Sequence, residues 1–344
     1  MYESFFGLTG NPFRLSPDPA FLFESRGHSK AHAYLRYGVS EGEGFIVITG
    51  DIGAGKTTLS QALIQELDPE QVVAAHLVST QLEADDLLRA LAIAFGLPDK
   101  DVDKAQLLES IQSFLVGLAR QNRRALLIVD EAQNLTPRAV EELRMLSNFQ
   151  NNDRPLLQSF LIGQPELRQM MRSPAMQQFC QRVIASCHLG PIDPDETGAY
   201  IEHRLQNVGW KGDPAFNPDA LAAVHQATGG IPRRINALCN RLLIRAYLDR
   251  KHQIERQDVT VAAAELREEL GFTAPPEPMP SKTSGARANG TVRPHMMSSI
   301  AARLDALQRS IGALVDLARA ISGADPRRRF GPKVPAPKRR DNIA

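Results

Sequence analysis

Eight consecutive residues carry the most specific chemistry in this 344-residue chain: Gly50-Asp51-Ile52-Gly53-Ala54-Gly55-Lys56-Thr57. Glycines at that spacing let several backbone N–H groups converge on one point. A helix starting at Lys56 adds its positive end. Such a loop suits a run of phosphates when a strand precedes it and a helix follows. Lys56 supplies a point charge between a β- and a γ-phosphate. Thr57 offers a hydroxyl to magnesium, and Thr58 follows in the same turn. The expected ligands are ATP and Mg2+.

A second constellation suits hydrolysis. An apolar run at 125–129 ends in Asp130-Glu131. A buried strand delivers Asp130 at its C-terminal edge, where open α/β sheets bind ligands. Asp130 then serves magnesium through a water, and Glu131 polarises the attacking water. Another strand-like run ends in Gly163-Gln164. The Gln164 amide suits orienting that water or sensing the γ-phosphate; its plainer role is to cap the helix at 165–171. Arg182 precedes the last strand and suits reaching a neighbouring subunit's γ-phosphate, where an arginine raises turnover by roughly 10³–10⁵. Its plainer role is a surface cation. Arg233 opens a helix after Gly229-Gly230 and suits folding back on the nucleotide, which couples domain rotation to phosphate state.

These groups need a scaffold. Strand-like runs at 45–49, 72–78, 125–129, 157–162 and 185–189 alternate with helical patterns at 56–67, 82–95, 104–120 and 137–148. Buried strands alternating with helices predict an α/β fold: a P-loop NTPase core with a five-stranded parallel sheet and helices on both faces. Residues 44–192 form this core. Residues 1–43 read as a Pro- and Phe-containing leader with a helix at 29–37. Residues 193–271 show helical periodicity alone, which predicts a small all-α lid. Residues 272–297 read as a disordered linker. At 298–322, Ile300, Leu304, Leu307, Ile311, Leu314, Ala318 and Ile321 make a short coiled-coil seam. Residues 323–344 form a basic tail.

The net charge of +1 conceals an asymmetry. Residues 1–273 hold 27 Lys/Arg and 34 Asp/Glu, whereas residues 274–344 hold 13 and 5. A tail of that sign suits DNA or an anionic membrane surface, or is a solvated charge run. Aromatics, at 6%, are too few to suggest a stacking platform for single-stranded nucleic acid. Cys180, Cys187 and Cys239 have neither metal-ligand nor paired spacing. They read as buried small hydrophobes in a reducing cytosol. His28 and His32, four apart on a helix, read as polar surface groups. No apolar run reaches the roughly 18–20 residues that cross a bilayer. No secretory signal is visible, so the expected location is the cytoplasm, with docking at the inner membrane left open.

The constellation resembles an AAA+ ATPase. Its opening, Met1 through Asn11-Pro12-Phe13, then Ser16-Pro17-Asp18-Pro19, His28 and Tyr34-Leu35-Arg36-Tyr37-Gly38, resembles the general secretion pathway protein A (ExeA) type. So do Asp130-Glu131-Ala132-Gln133, Gly163-Gln164-Pro165-Glu166-Leu167 and Gly230-Ile231-Pro232-Arg233-Arg234-Ile235-Asn236. Within that type the chain looks most like the secretion ATPases associated with exosortase/PEP-CTERM (XrtA) and exopolysaccharide systems. The likeness covers about residues 1–270, and transposition ATPases are similar more distantly. It implies ATP hydrolysis and a homo-oligomeric ring or filament. It makes Lys56, Thr57, Asp130 and Glu131 the nucleotide and catalytic set, Gln164 the first sensor, Arg182 the finger and Arg233 the second sensor. Asn11 and Phe13 would lie near the adenine. The implied partner is a protein of a secretion or polysaccharide-export system. ATPases of this type commonly continue into a membrane span and a peptidoglycan-binding domain; the residues after 271 resemble neither. The alternatives are a DNA-associated transposition ATPase and a slow nucleotide-gated scaffold.

Overall fold

The computed structural model describes residues 1–270 apart from 79–81, 101 and 153. The expected linker, seam and basic tail lie outside the described residues. The described residues all belong to one compact unit.

Its main sheet uses β1 (Phe45–Gly50), β2 (Val72–Val78) and β3 (Arg124–Asp130), all parallel. A two-residue hairpin follows, β4 (Gln150–Asn151) with β5 (Arg154–Pro155), which no periodicity announces. Then come β6 (Leu157–Gly163) and β7 (Val183–Leu189). The spatial order is β2-β3-β6-β1-β7. Strands β1 and β6 are buried along their whole length, as central parallel strands must be when both faces are covered. Alternate residues of one strand serve opposite faces. Phe45, Val47, Leu127, Val129, Leu157 and Leu161 join one apolar cluster, while Ile46, Ile48, Leu126, Ile128, Phe160 and Ile162 join the other.

The helices are α1 (Tyr2–Phe5), α2 (Arg26–Glu41), α3 (Lys56–Glu66), α4 (Ala84–Ala94), α5 (Lys104–Arg120), α6 (Pro137–Leu146), α7 (Pro165–Met171) and α8 (Gln177–Cys180). Helices α4, α5 and α6 cover the first cluster, and α2 and α3 the second. The register pairs Thr49 with Gly163 and Val129 with Leu161. The phosphate-type loop, Asp130 and Gln164 therefore leave the sheet side by side at its C-terminal edge.

The smaller part is built from α9 (Pro194–Gln206), α10 (Pro218–Thr228), α11 (Pro232–Leu248) and α12 (Arg256–Leu270). Three of these begin at proline, whose missing N–H is no loss at the first helical position. The expectation of an all-α lid needs a correction. A parallel pair, β8 (Ala215–Phe216) with β9 (Gln253–Ile254), staples the stretch before α10 to the stretch before α12. Two-residue strands leave no period in a sequence. The leader, in turn, is not a separate element. Tyr2, Phe6, Leu8, Phe13 and Phe21 are buried in the lid core, and α2 packs on the main sheet.

Candidate nucleotide-binding and hydrolytic site

The loop from Gly50 to Thr57 is bent by two glycines in the left-handed region, Gly53 at φ 82° and Gly55 at φ 95°. Helix α3 starts directly after Gly55 with no side-chain cap, so its first amides are free for an anion. Lys56 is buried, and its Nζ donates to the carbonyls of Gly50 at 2.8 Å and Asp51 at 2.9 Å. Burial pushes its amine down, and the nearby carboxylates of Glu131, Asp130 and Asp51 oppose that. A buried ammonium that must satisfy itself on its own loop fits a phosphate partner.

Thr57 Oγ1 donates to Asp130 Oδ2 at 2.7 Å. Asp130 is 2% exposed, and its Oδ1 accepts the Glu131 N–H at 2.9 Å. A hydroxyl against a carboxylate supplies the oxygen donors that a hard cation takes. Among the described residues no group of three His, Cys, Asp or Glu could hold a metal. Magnesium here would need phosphate oxygens to complete its shell.

Glu131 follows with φ 54°, a left-handed turn into a short 3₁₀ turn at Ala132–Asn134. Its Oε2 accepts Gln164 Nε2 at 2.9 Å and Gln133 Nε2 at 2.6 Å. Burial alone would raise this carboxyl; the two amides and the Lys56 charge outweigh it and hold the group below the usual carboxylate range. The Gln164 side chain, expected to orient water or sense the γ-phosphate, meets Glu131 and makes no capping bond to α7. Gln133 was missed as a functional residue, although it lies two positions beyond Glu131.

The lid closes the other side. The Arg233 N–H donates to Gly53 O at 3.1 Å, and the Arg233 side chain lines the cleft above the loop. Ile52, Thr58, Glu131, Pro232 and Asn236 line the same cleft. So does the leader, through Arg14 to Asp18 and Phe21 to Phe23. Arg204, buried on α9, anchors that leader: its guanidinium donates to Pro12 O at 2.6 Å and Arg14 O at 3.1 Å and lies 4.8 Å from the Phe21 ring centre. Arg204 and Tyr200 sit four residues apart on one helical face, the one signal that could have marked them.

Two expectations, for Asn11 with Phe13 and for His28 with His32, need correction. Phe13 is 1% exposed in the lid core, so it cannot stack on a base. Asn11 accepts the Phe13 N–H at 2.8 Å and shapes the turn; neither residue lines the cleft. His28 and His32 are buried, not on the surface. The His28 Nδ1 faces Ser25 Oγ at 2.7 Å and Nε2 faces Ala54 O at 3.0 Å, directly beneath the loop. Arg182 lies at the opposite edge of the sheet, where its carbonyl accepts the Phe45 N–H at the start of β1. A six-residue strand separates it from the loop, roughly 20 Å, so it cannot serve its own nucleotide. Its guanidinium donates to Ser147 Oγ at 2.9 Å and to Asn148 Oδ1.

The sheet order, the loop and the appended lid define the AAA-type P-loop NTPase fold. Residues 39–171 match the family described as AAA domain. Over 305 residues the chain is 40% identical to General secretion pathway protein A of Aeromonas hydrophila, a match covering 88% of this chain and 52% of that protein. The chain thus spans about half the length of this curated relative. Among solved structures, Cdc6p from Pyrobaculum aerophilum superposes with a TM-score of 0.57 at 14% identity, covering 75% of this chain and 71% of that one. The Aeropyrum pernix ORC1 protein, solved in complex with DNA, gives 0.55 at 17% identity, covering 75% and 70%. These two likenesses establish the fold.

Proposed function

We propose that this chain hydrolyses ATP at a site completed by a neighbouring copy, and uses the cycle to power or regulate a bacterial export or exopolysaccharide system of the exosortase-linked kind. One observation carries the hydrolytic part: a carboxylate held by two side-chain amides stands one residue beyond an aspartate bonded to the loop threonine. Lys56 and the loop amides bind and orient the phosphates. Thr57 and, through water, Asp130 would hold magnesium, which neutralises β/γ-phosphate charge when bound. Glu131 takes the proton of the attacking water, and Gln164 keeps that acid in place. Arg182, on the far edge of the sheet, serves the next copy in a ring or filament. The export part is supported by the similarity to General secretion pathway protein A. The cytoplasm, with peripheral docking at the inner membrane, fits that role. No helix among the described residues is long and apolar enough to cross a membrane.

The test is phosphate release measured against protein concentration. Turnover per chain should rise with concentration. Arg182→Ala and Glu131→Gln should each be inactive alone, while mixing them should restore activity by forming some sites with both groups intact. Concentration-independent turnover, or no recovery on mixing, would remove the shared site.

A further inference from the structure

The amide of Gln133 is held so that it has only one possible orientation. Its Oε1 accepts the backbone N–H of Gln164 at 2.9 Å. Only an acceptor can face that N–H, so Nε2 must face Glu131, where it donates to Oε2 at 2.6 Å. The same Oε2 also accepts Gln164 Nε2. Gly163 makes this possible: a Cβ there would lie 2.7 Å from Gln133 Oε1 and 3.2 Å from its backbone nitrogen. The short turn at Ala132–Asn134, with Ala132 wholly buried, brings Gln133 back across the end of β6. Three residues from two neighbouring strands are thereby closed into one ring of hydrogen bonds.

We propose that Gln133 is a positioning residue for hydrolysis: it commits Glu131 Oε2 to the protein and leaves Oε1 as the oxygen that meets water. The same amide ties the Gln164 backbone to Glu131, so the acid and the sensor amide move as one body. This rests on the reading of Glu131 as the hydrolytic base. The bonds of the ring run among Glu131, Gln133 and Gln164 and none is made to Lys56 or Thr57, so its loss should act on the chemical step and spare nucleotide binding.

Three variants of the 344-residue chain test it. Gln133→Met keeps the volume and removes both bonds. Gln133→Glu keeps the shape and removes the donor. Gly163→Ala pushes on the amide from behind. Each should lower kcat about tenfold or more, with KM and the affinity for a fluorescent ATP analogue within about twofold of wild type. Combining Gln133→Met with Gln164→Met should cost little beyond the larger single loss, because one ring is being broken twice. Wild-type kcat in Gln133→Met and Gln133→Glu, or fully additive losses in the double variant, would overturn the proposal. Hydrolysis that persists in Glu131→Gln would instead remove the reading on which it rests. A fall in analogue affinity equal to the fall in kcat would assign Gln133 to folding of the loop and also overturn it.

Discussion

At the scale of single residues, His28 shows how the fold converts an unremarkable side chain into part of the site. It is 4% exposed, between Ser25 and the Ala54 carbonyl of the phosphate-type loop. Burial pushes its imidazole below the ordinary range, and the bond to Ala54 opposes this only in part. The folded protein therefore holds that proton less tightly than the unfolded chain. The penalty is absent above the ordinary imidazole range, about pH 6.5, and grows as pH falls through it. The urea midpoint of wild type should accordingly drop between about pH 7.5 and 5.5. In His28→Gln, whose amide can still donate to Ala54, the drop should be smaller. An identical drop in both proteins would show that His28 does not contribute.

At the scale of elements, the joint between loop and lid turns on Gly53. Its φ of 82° suits glycine, and a Cβ would come 2.4 Å from the Cβ of Arg233. That neighbour is fixed to the α11 backbone and cannot rotate away. Gly53→Ala should cost about 1–2 kcal/mol in backbone strain alone and push α11 off the loop. The expected outcome is weaker binding of a fluorescent ATP analogue, by about tenfold or more, since the Arg233 side of the cleft opens. Unchanged affinity, measured by titration, would show that the lid contact is not needed to hold nucleotide. The spacing of the eight-residue loop calls for Gly50 and Gly55; at Gly53 the positive φ and the close approach of the lid both require glycine, and both are visible only in three dimensions.

At the scale of the whole described molecule, the leader joins the two cores. Its aromatic residues are buried in the lid, while α2 lies on the sheet. Arg204 holds the passage between them by two backbone carbonyls, Pro12 and Arg14. Arg204→Met would leave both without a donor, at about 1–3 kcal/mol for each that stays buried. Thermal unfolding should shift downward, and limited proteolysis should open sites between residues 12 and 23 while α3 and the sheet stay protected. A leader as resistant as wild type would count against this anchor. A lid that rotates with nucleotide state would carry the leader with it, so the leader side and the loop side of the cleft would change together.

The glycine spacing, the apolar strands and the adjacent Asp130 and Glu131 were legible from the chain alone, because each is a local pattern. A loop must be glycine-rich to approach phosphate, and a strand buried on both faces must be apolar throughout. The alternation of runs also announced the five parallel strands and most helices. What local pattern cannot carry is which distant residues meet. Phe13 enters the lid core because the leader crosses to it. His28 lies under the loop because α2 packs beside β1. Gln133 reaches Glu131 and Gln164 together because β6 sits between β3 and β1, an order decided by packing. Sequence by itself pointed to a loop suited to phosphate and to an adjacent acidic pair; the tertiary structure alone decided that the Gln164 amide meets Glu131, since that hydrogen bond joins the ends of two strands separated by some thirty residues of chain.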